Sequence, residues 1–250
     1  MRNIEQNLEC VNERIAEAAL RAGRDPAAVT LVAVTKTRSP EEVVAACQAG
    51  VVHVGENRVE EAAPKIPAVR AVATCPQPTW HMVGHVQSRK AGEVVAHFDC
   101  VHSVERIKIA RRLSRFADEA GRTLPVLLEC NVSGEEAKFG FDVHGWERDD
   151  GRRLAFFSTV EEILALPGLS VWGLMTMAPL VADPETVRPV FASLRGLLDA
   201  LRGRFPLGGE LSGHDWRHLS MGMTDDFEVA VEEGATMVRV GRAIFGPRPG

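Results

Sequence analysis

From residue 30 onward the chain alternates between two kinds of segment. Eight short apolar runs, at 30–35, 51–54, 80–84, 99–102, 125–132, 171–176, 217–220 and 236–241, are separated by stretches with helical patterning. Short unbroken apolar runs read as strands buried on both faces, as in a parallel sheet. Between the first two runs, Ser39-Pro40-Glu41-Glu42 combines a capping serine, proline at the first helical position and glutamate three residues after the cap. The spacing predicts further helix starts at Asn57–Glu60, Ser103–Glu105, Thr159–Glu162 and Thr224–Asp226. Eight β/α alternations in about 220 residues predict a (β/α)8 TIM-type barrel, with a doubly wound open sheet as the alternative. Ahead of it, Ile4, Leu8, Val11, Ile15 and Ala19 recur at helical spacing and predict an extra N-terminal helix within residues 1–25. No linker divides the chain, so residues 1–250 read as a single domain. Residues 142–157, charged and interrupted by glycine, read as a loop.

Composition excludes several classes of function. A net charge of −5 and a pI near 5.9 argue against general binding to nucleic acid or to a membrane surface. The five cysteines are scattered without a C-x-x-C pair, the usage of a reducing cytoplasm rather than of a disulfide framework or zinc site. No signal-peptide core precedes residue 30, and no apolar stretch approaches the roughly 18 residues of a membrane span. The cytoplasm is the expected address.

Lys36 closes the first apolar run and stands at the strand tip, where α/β folds place their ligand sites. A lysine at the rim of an apolar sheet has its pKa lowered, which suits it to attack a carbonyl; the alternative is a solvated lysine in a βα loop. In a barrel the tips of the first and eighth strands are neighbours. The loops after strands seven and eight commonly seat phosphate, and here they carry the Ser220 hydroxyl and the backbone around Gly241 and Arg242. Arg239 lies inside the apolar eighth strand. It needs either a core carboxylate such as Glu56 or Glu129, or a ligand atom that accepts its donors. A guanidinium beside a pyridine nitrogen keeps that nitrogen unprotonated. Pyridoxal phosphate (PLP) answers all three features at once: an aldehyde for Lys36, a phosphate for the Ser/Gly loops, a pyridine nitrogen for Arg239.

At these residues the chain resembles the PLP homeostasis protein family, which is itself similar to the barrel domain of alanine racemase. The resemblance is carried by Leu31 to Lys36, Val54-Gly55-Glu56-Asn57, Trp80 to Ser88, Asn131 to Lys138, Gly173-Leu174-Met175, Leu219 to Phe227 and Met237 to Gly246, in that order along nearly the whole chain. It implies a barrel carrying PLP as an aldimine on Lys36, a phosphate seat at Ser220 and the backbone of Met221, Gly241 and Arg242, and Arg239 towards the pyridine nitrogen. It also implies that Asn57 and His85 line the same mouth. Arg58 stands where many relatives carry an aromatic residue, Phe139 where a small polar one is usual, and segment 142–157 is longer than expected; these departures concern the rim.

The family is regarded as holding and supplying PLP without robust catalysis; apo PLP-dependent enzymes are candidate recipients, which the sequence does not name. Alanine racemase uses a tyrosine from an additional domain as its second base; this sequence has no tyrosine and stops soon after the eighth run. An arginine on the pyridine nitrogen also makes a weak electron sink. The expectation is therefore a monomeric PLP carrier. The alternatives are a racemase-like PLP enzyme with His85 as opposing base, or a lysine Schiff-base aldolase. His81 and His85 have i, i+4 spacing but lack the intervening glutamate of a zinc helix, so no metal is expected. Lys138 is a candidate for relaying PLP at the rim, and Arg111, Arg112 and Arg115 read as a solvated helix face.

Overall fold

Every apolar run becomes a parallel strand, and the sheet they form has no edge. The computed structural model describes residues 3–72, 74–206 and 213–247. In chain order the strands are β1 (Thr30–Val34), β2 (His53–Glu56), β3 (Thr79–Met82), β4 (Cys100–Val104), β5 (Leu124–Asn131), β6 (Phe141–Asp142), β7 (Leu169–Met175), β8 (His218–Ser220) and β9 (Met237–Val240). The two-residue β6 pairs only with β5. The other eight pair in sequence order and close where β1 meets β9, from Thr30↔Met237 to Ala33↔Val240. This is the expected (β/α)8 barrel, not the open sheet. At Gly173 in β7 a Cβ would lie 1.9 Å from the His218 carbonyl oxygen at a φ of +149°, so only glycine lets β8 approach.

The helices are α1 (Ile4–Arg21), α2 (Pro40–Gln48), α3 (Val59–Arg70), α4 (Ala91–His97), α5 (Ile107–Glu119), α6 (Asp150–Leu164), α7 (Arg188–Arg204), α8 (Phe227–Glu232) and α9 (Arg242–Phe245). The extra helix α1 starts at a capping box of Asn3 and Gln6 and buries Leu8, Val11, Ile15, Ala18 and Ala19. Its outer face is tied to α8 by Arg14–Glu228 at 2.6 Å and Arg21–Glu232 at 2.8 Å. None of the described helices is long and apolar enough to cross a membrane.

Four helix starts and one loop differ from the sequence expectation; one of the four is Thr224–Asp226, a turn that precedes α8. The Ser39 capping box forms as read, but Asn57 does not cap α3, whose N-cap Arg58 makes no side-chain bond. Ser103 and Val104 belong to β4, because Ser103 donates to the Gly84 carbonyl at 2.6 Å and the strand continues past it. Segment 142–157 is not one loop. Asp149 accepts the Arg152 N–H at 2.9 Å and starts α6 at Asp150, which leaves Thr159 in mid-helix, bonded to the Ala155 carbonyl. The cap signal at Asp149 outweighs the glycine at 151, since one interior glycine costs only about 1 kcal/mol.

Side chains alternate across each strand, and the two faces have different work. Outward residues such as Ala33, Val54, Val101, Leu128, Val238 and Val240 pack with the helices into the main core, with Trp80, Phe98, Phe191, Trp216 and Phe227 its largest buried members. A separate small cluster, Leu127, Met175 and Met237 with Trp172 and Met177, fills part of the barrel interior. The inward parity of β1, β2 and β9 ends at Lys36, Asn57 and Gly241, all of which line one cavity.

Candidate functional site

That cavity, about 560 Å³, opens at the C-terminal ends of the strands. Lys36, Asn57, Arg239, Gly241 and Arg242 line it, so five of the eight residues singled out from sequence converge. The polar wall continues with Thr224 and Arg38, and the apolar wall with Val34, Val83, Met177 and Leu180. Thr224, Met177 and Leu180 escaped the sequence reading. Thr224 follows the matched Met221-Gly222-Met223 turn, and its hydroxyl was the available signal. The Met177 and Leu180 segment carries no motif.

The other three residues stand elsewhere. Ser220 is fully buried beneath the cavity and does not line it. Met221 has the opposite parity, packs in the outer core, and spends its N–H on the Met237 carbonyl at 3.1 Å. His85 lines an adjoining cleft of about 280 Å³ that shares Asn57 with the main cavity. Its Nδ1 lies 2.9 Å from Glu105 Oε2, and its ring stacks on Phe139 with centroids 4.6 Å apart. Lys138 sits at the rim, donating to the Met177 carbonyl at 3.1 Å and pairing with Glu135. Arg111, Arg112 and Arg115 are exposed.

Arg239 forms no ion pair with either carboxylate named from sequence. Glu56 faces outward and pairs with Lys65 at 2.7 Å. Arg239 instead donates from Nη1 to the Ser220 hydroxyl at 2.7 Å and from Nη2 to the Thr176 carbonyl at 2.9 Å. Burial lowers its pKa to about 10, partly offset by the charges of Glu129 and Asp226, so the guanidinium remains charged at neutral pH. Burial, reinforced by Glu105, raises Glu129 to about 7, and the Arg239 charge opposes that rise.

Below Arg239 runs a chain of hydrogen bonds that sequence reading did not foresee. Ser220 Oγ lies 2.8 Å from His102 Nδ1, His102 Nε2 lies 2.9 Å from His81 Nδ1, and His81 Nε2 lies 3.0 Å from His53 Nδ1. A guanidinium can only donate, so Ser220 accepts from it and its own O–H donates to His102; each ring then donates to the next. The lone pairs of the chain therefore point back at the cation, which solvates it without a carboxylate in contact. Burial drives the pKa of His81 down to about 3 and that of His102 well below its ordinary value, so both rings are neutral. His81, Cys100 and His102 hold ligand-type atoms within 4.8 Å of one another, but the two imidazoles already spend the facing nitrogens on each other. His214 is likewise structural, accepting from the Val171 N–H and donating to the Leu164 carbonyl.

The combination of barrel, strand-tip lysine and buried arginine defines a class of protein. The model for the alanine racemase N-terminal domain matches residues 3–249. Within that class, a protein of Pseudomonas aeruginosa named pyridoxal phosphate homeostasis protein is 41% identical over 99% of this chain and 97% of its own. The chain belongs to the pyridoxal phosphate homeostasis protein family, as its motifs led us to expect. Among solved structures, an unknown protein from Bifidobacterium adolescentis superposes with a TM-score of 0.82 at 38% identity, covering 97% of this chain and 94% of that one. PipY of Synechococcus elongatus, solved with PLP bound, superposes with a TM-score of 0.75 at 33% identity, covering 94% of this chain and all (100%) of that one.

Proposed function

We propose that this protein binds PLP in the 560 Å³ cavity, covalently on the Lys36 amine, and that it holds and supplies the cofactor rather than turning over a substrate. The observation that carries the reading is that Lys36 and Arg239 line one cavity with Gly241, Arg242 and Thr224. The donor set fits: an amine for an aldehyde, a permanent cation for a ring nitrogen, and backbone with a hydroxyl for a phosphate. Gly241 lines the cavity without a side chain and packs tightly on β1, where a Cβ would lie 3.0 Å from the Val34 carbonyl oxygen. When bound, PLP supplies an aldehyde that condenses with amines and a ring that withdraws electrons from the adduct. Arg239 keeps the ring nitrogen unprotonated and so weakens that withdrawal. Val83 and Met177 make one wall of the cavity apolar, with the exposed Leu180 at its rim. His85, the candidate second base, is turned to Glu105 in the adjoining cleft, which favours a carrier over a racemase. The five cysteines are free thiols, in keeping with a cytoplasmic carrier that delivers PLP to apo-enzymes as a monomer.

The test is an absorption spectrum of the protein with PLP, beside Lys36→Ala, before and after borohydride. A visible band in the wild type only, and a reduced pyridoxyl label on Lys36, support the assignment. A protein that takes no PLP overturns it and returns the aldolase reading; a Lys36→Ala variant that takes PLP equally well overturns the covalent attachment alone. Steady racemisation or transamination of an amino acid would overturn the carrier half alone.

A further inference from the structure

Thr35 and Thr37 flank Lys36, and the peptide groups on both sides of the lysine are gripped from outside the barrel. Lys65 of α3 donates from Nζ to the Thr35 carbonyl at 2.9 Å. The same ammonium bonds Glu56 Oε1 and Glu61 Oε1, each at 2.7 Å. Glu61 Oε1 also accepts the Thr37 N–H, and Glu56 Oε1 accepts the Thr35 hydroxyl at 2.6 Å. Thr37 holds a φ of +66°, the only positive φ of a non-glycine among the described residues. A β-branched residue rarely adopts that conformation and keeps it only where the surroundings hold it there. Thr37 stands third in a turn from Thr35 to Arg38, closed by the Arg38 N–H on the Thr35 carbonyl at 3.0 Å, and the bond to Glu61 holds that turn from outside.

The network is a poor device for stability alone. Lys65 is 5% exposed and Glu56 fully buried, and Glu56 Oε2 is buried without a hydrogen-bond partner. Well-packed apolar residues would serve a core at least as well as a buried ion pair. None of the three side chains lines the cavity, so none is there to touch a ligand. What they share is the backbone around one residue. We propose that Glu56, Lys65 and Glu61 form a clamp on the Thr35 and Thr37 peptides that sets the direction in which the Lys36 side chain enters the cavity. They are positioning residues for that amine. The proposal rests on Lys36 as the residue that takes PLP, and it adds the parts that aim it.

The experiment compares Glu61→Ala, Glu61→Gln and the double variant Glu56→Gln/Lys65→Met with the wild type. The double variant removes both buried charges together, so it folds where Lys65→Met alone leaves Glu56 unpaired. Two readouts are taken: PLP affinity by absorbance, and the pH profile of Lys36 methylation by formaldehyde and borohydride, followed by mass spectrometry. Methylation needs no PLP site, so the clamp stands or falls by it even if the wild type takes no PLP, an outcome that overturns only the proposed function. Glu61→Ala and the double variant are expected to bind PLP at least about tenfold more weakly, the order of loss that follows misplacing a reacting group. They should also shift the methylation profile. Glu61→Gln, whose amide oxygen still accepts the Thr37 N–H, should recover most of both. Wild-type methylation profiles in Glu61→Ala and in the double variant would overturn the clamp. So would a Glu61→Gln variant as impaired as Glu61→Ala.

Discussion

Arg239 Nη1 donates to the Ser220 hydroxyl at 2.7 Å, and the serine is fully buried. The serine that sequence marks as a phosphate ligand is thus a link between a buried cation and His102. Ser220→Ala leaves an arginine N–H and a histidine nitrogen unpaired in the barrel interior. It is expected to cost about 1–3 kcal/mol in a urea unfolding series, the range for an unsatisfied buried polar group.

The same geometry separates two hydroxyls that the proposed phosphate seat could use. Thr224 lines the cavity and Ser220 does not. The ratio of PLP to pyridoxal affinity should therefore fall in Thr224→Val, by about tenfold if one hydrogen bond to a charged group is lost. In Ser220→Ala the ratio should hold, because both vitamers lose the Arg239 geometry alike. Equilibrium titration of both ligands measures it, and a ratio that collapses in Ser220→Ala would return the serine to the phosphate seat.

The neutral histidine chain makes the fold sensitive to acid. His81 titrates near 3 when folded and at the ordinary histidine value near 6.5 when unfolded. Between those values the unfolded chain binds a proton that the folded one refuses, so stability is intact above 6.5 and is lost as pH falls towards 3. The loss approaches ~1.4 kcal/mol per pH unit for one such group. Glu129, raised to about 7, acts in the opposite sense, holding a proton when folded that the unfolded chain releases above its ordinary 4.5. Its contribution is present below 4.5 and lost as pH rises through 7. Urea midpoints from pH 7 to 4 should thus fall less steeply in His81→Gln and more steeply in Glu129→Gln than in the wild type.

Gly84 carries the β3 end past Asn57 with no room to spare: a Cβ there would lie 2.2 Å from the Asn57 carbonyl oxygen. Gly84→Ala must move the backbone of a cavity-lining residue. We expect it to lose about 1–3 kcal/mol of stability, the cost of overpacking, together with PLP affinity. Thermal unfolding and PLP titration on one sample check both; a stable variant with weakened binding would localise the shift to Asn57.

Lys138 holds two rim segments together through its bond to the Met177 carbonyl, and Met177 is part of the cavity wall. Lys138→Ala frees that segment. PLP release to an apo-enzyme, followed by stopped flow, should accelerate by up to about tenfold, the worth of one charged hydrogen bond. An unchanged release rate would remove Lys138 from the exit path.

The architecture was legible in the chain because each element depends on neighbours close in sequence. Apolar runs, the Ser39 capping box and the amphipathic spacing of residues 4–19 declare strands and helices locally, and eight alternations point to a barrel, whose closure the β1–β9 pairing decides. Lys36, Arg239, Gly241 and Arg242 were readable for a related reason: each stands at or near a strand end, and a barrel gathers those ends into one mouth, whereas Asn57 came with the family resemblance. The register of pairing was not readable. It is set by contacts such as Leu31↔Val238 and Ser220↔Met237 between residues far apart in sequence. One step of register, or two residues of depth, decides whether a polar side chain meets ligand or core. That step buried Ser220 under Arg239, sent Met221 to the outer core, and turned His53, His81 and His102 into one hydrogen-bonded line. It also set Lys65 against the carbonyl of Thr35, thirty residues away, a pairing that no local pattern encodes.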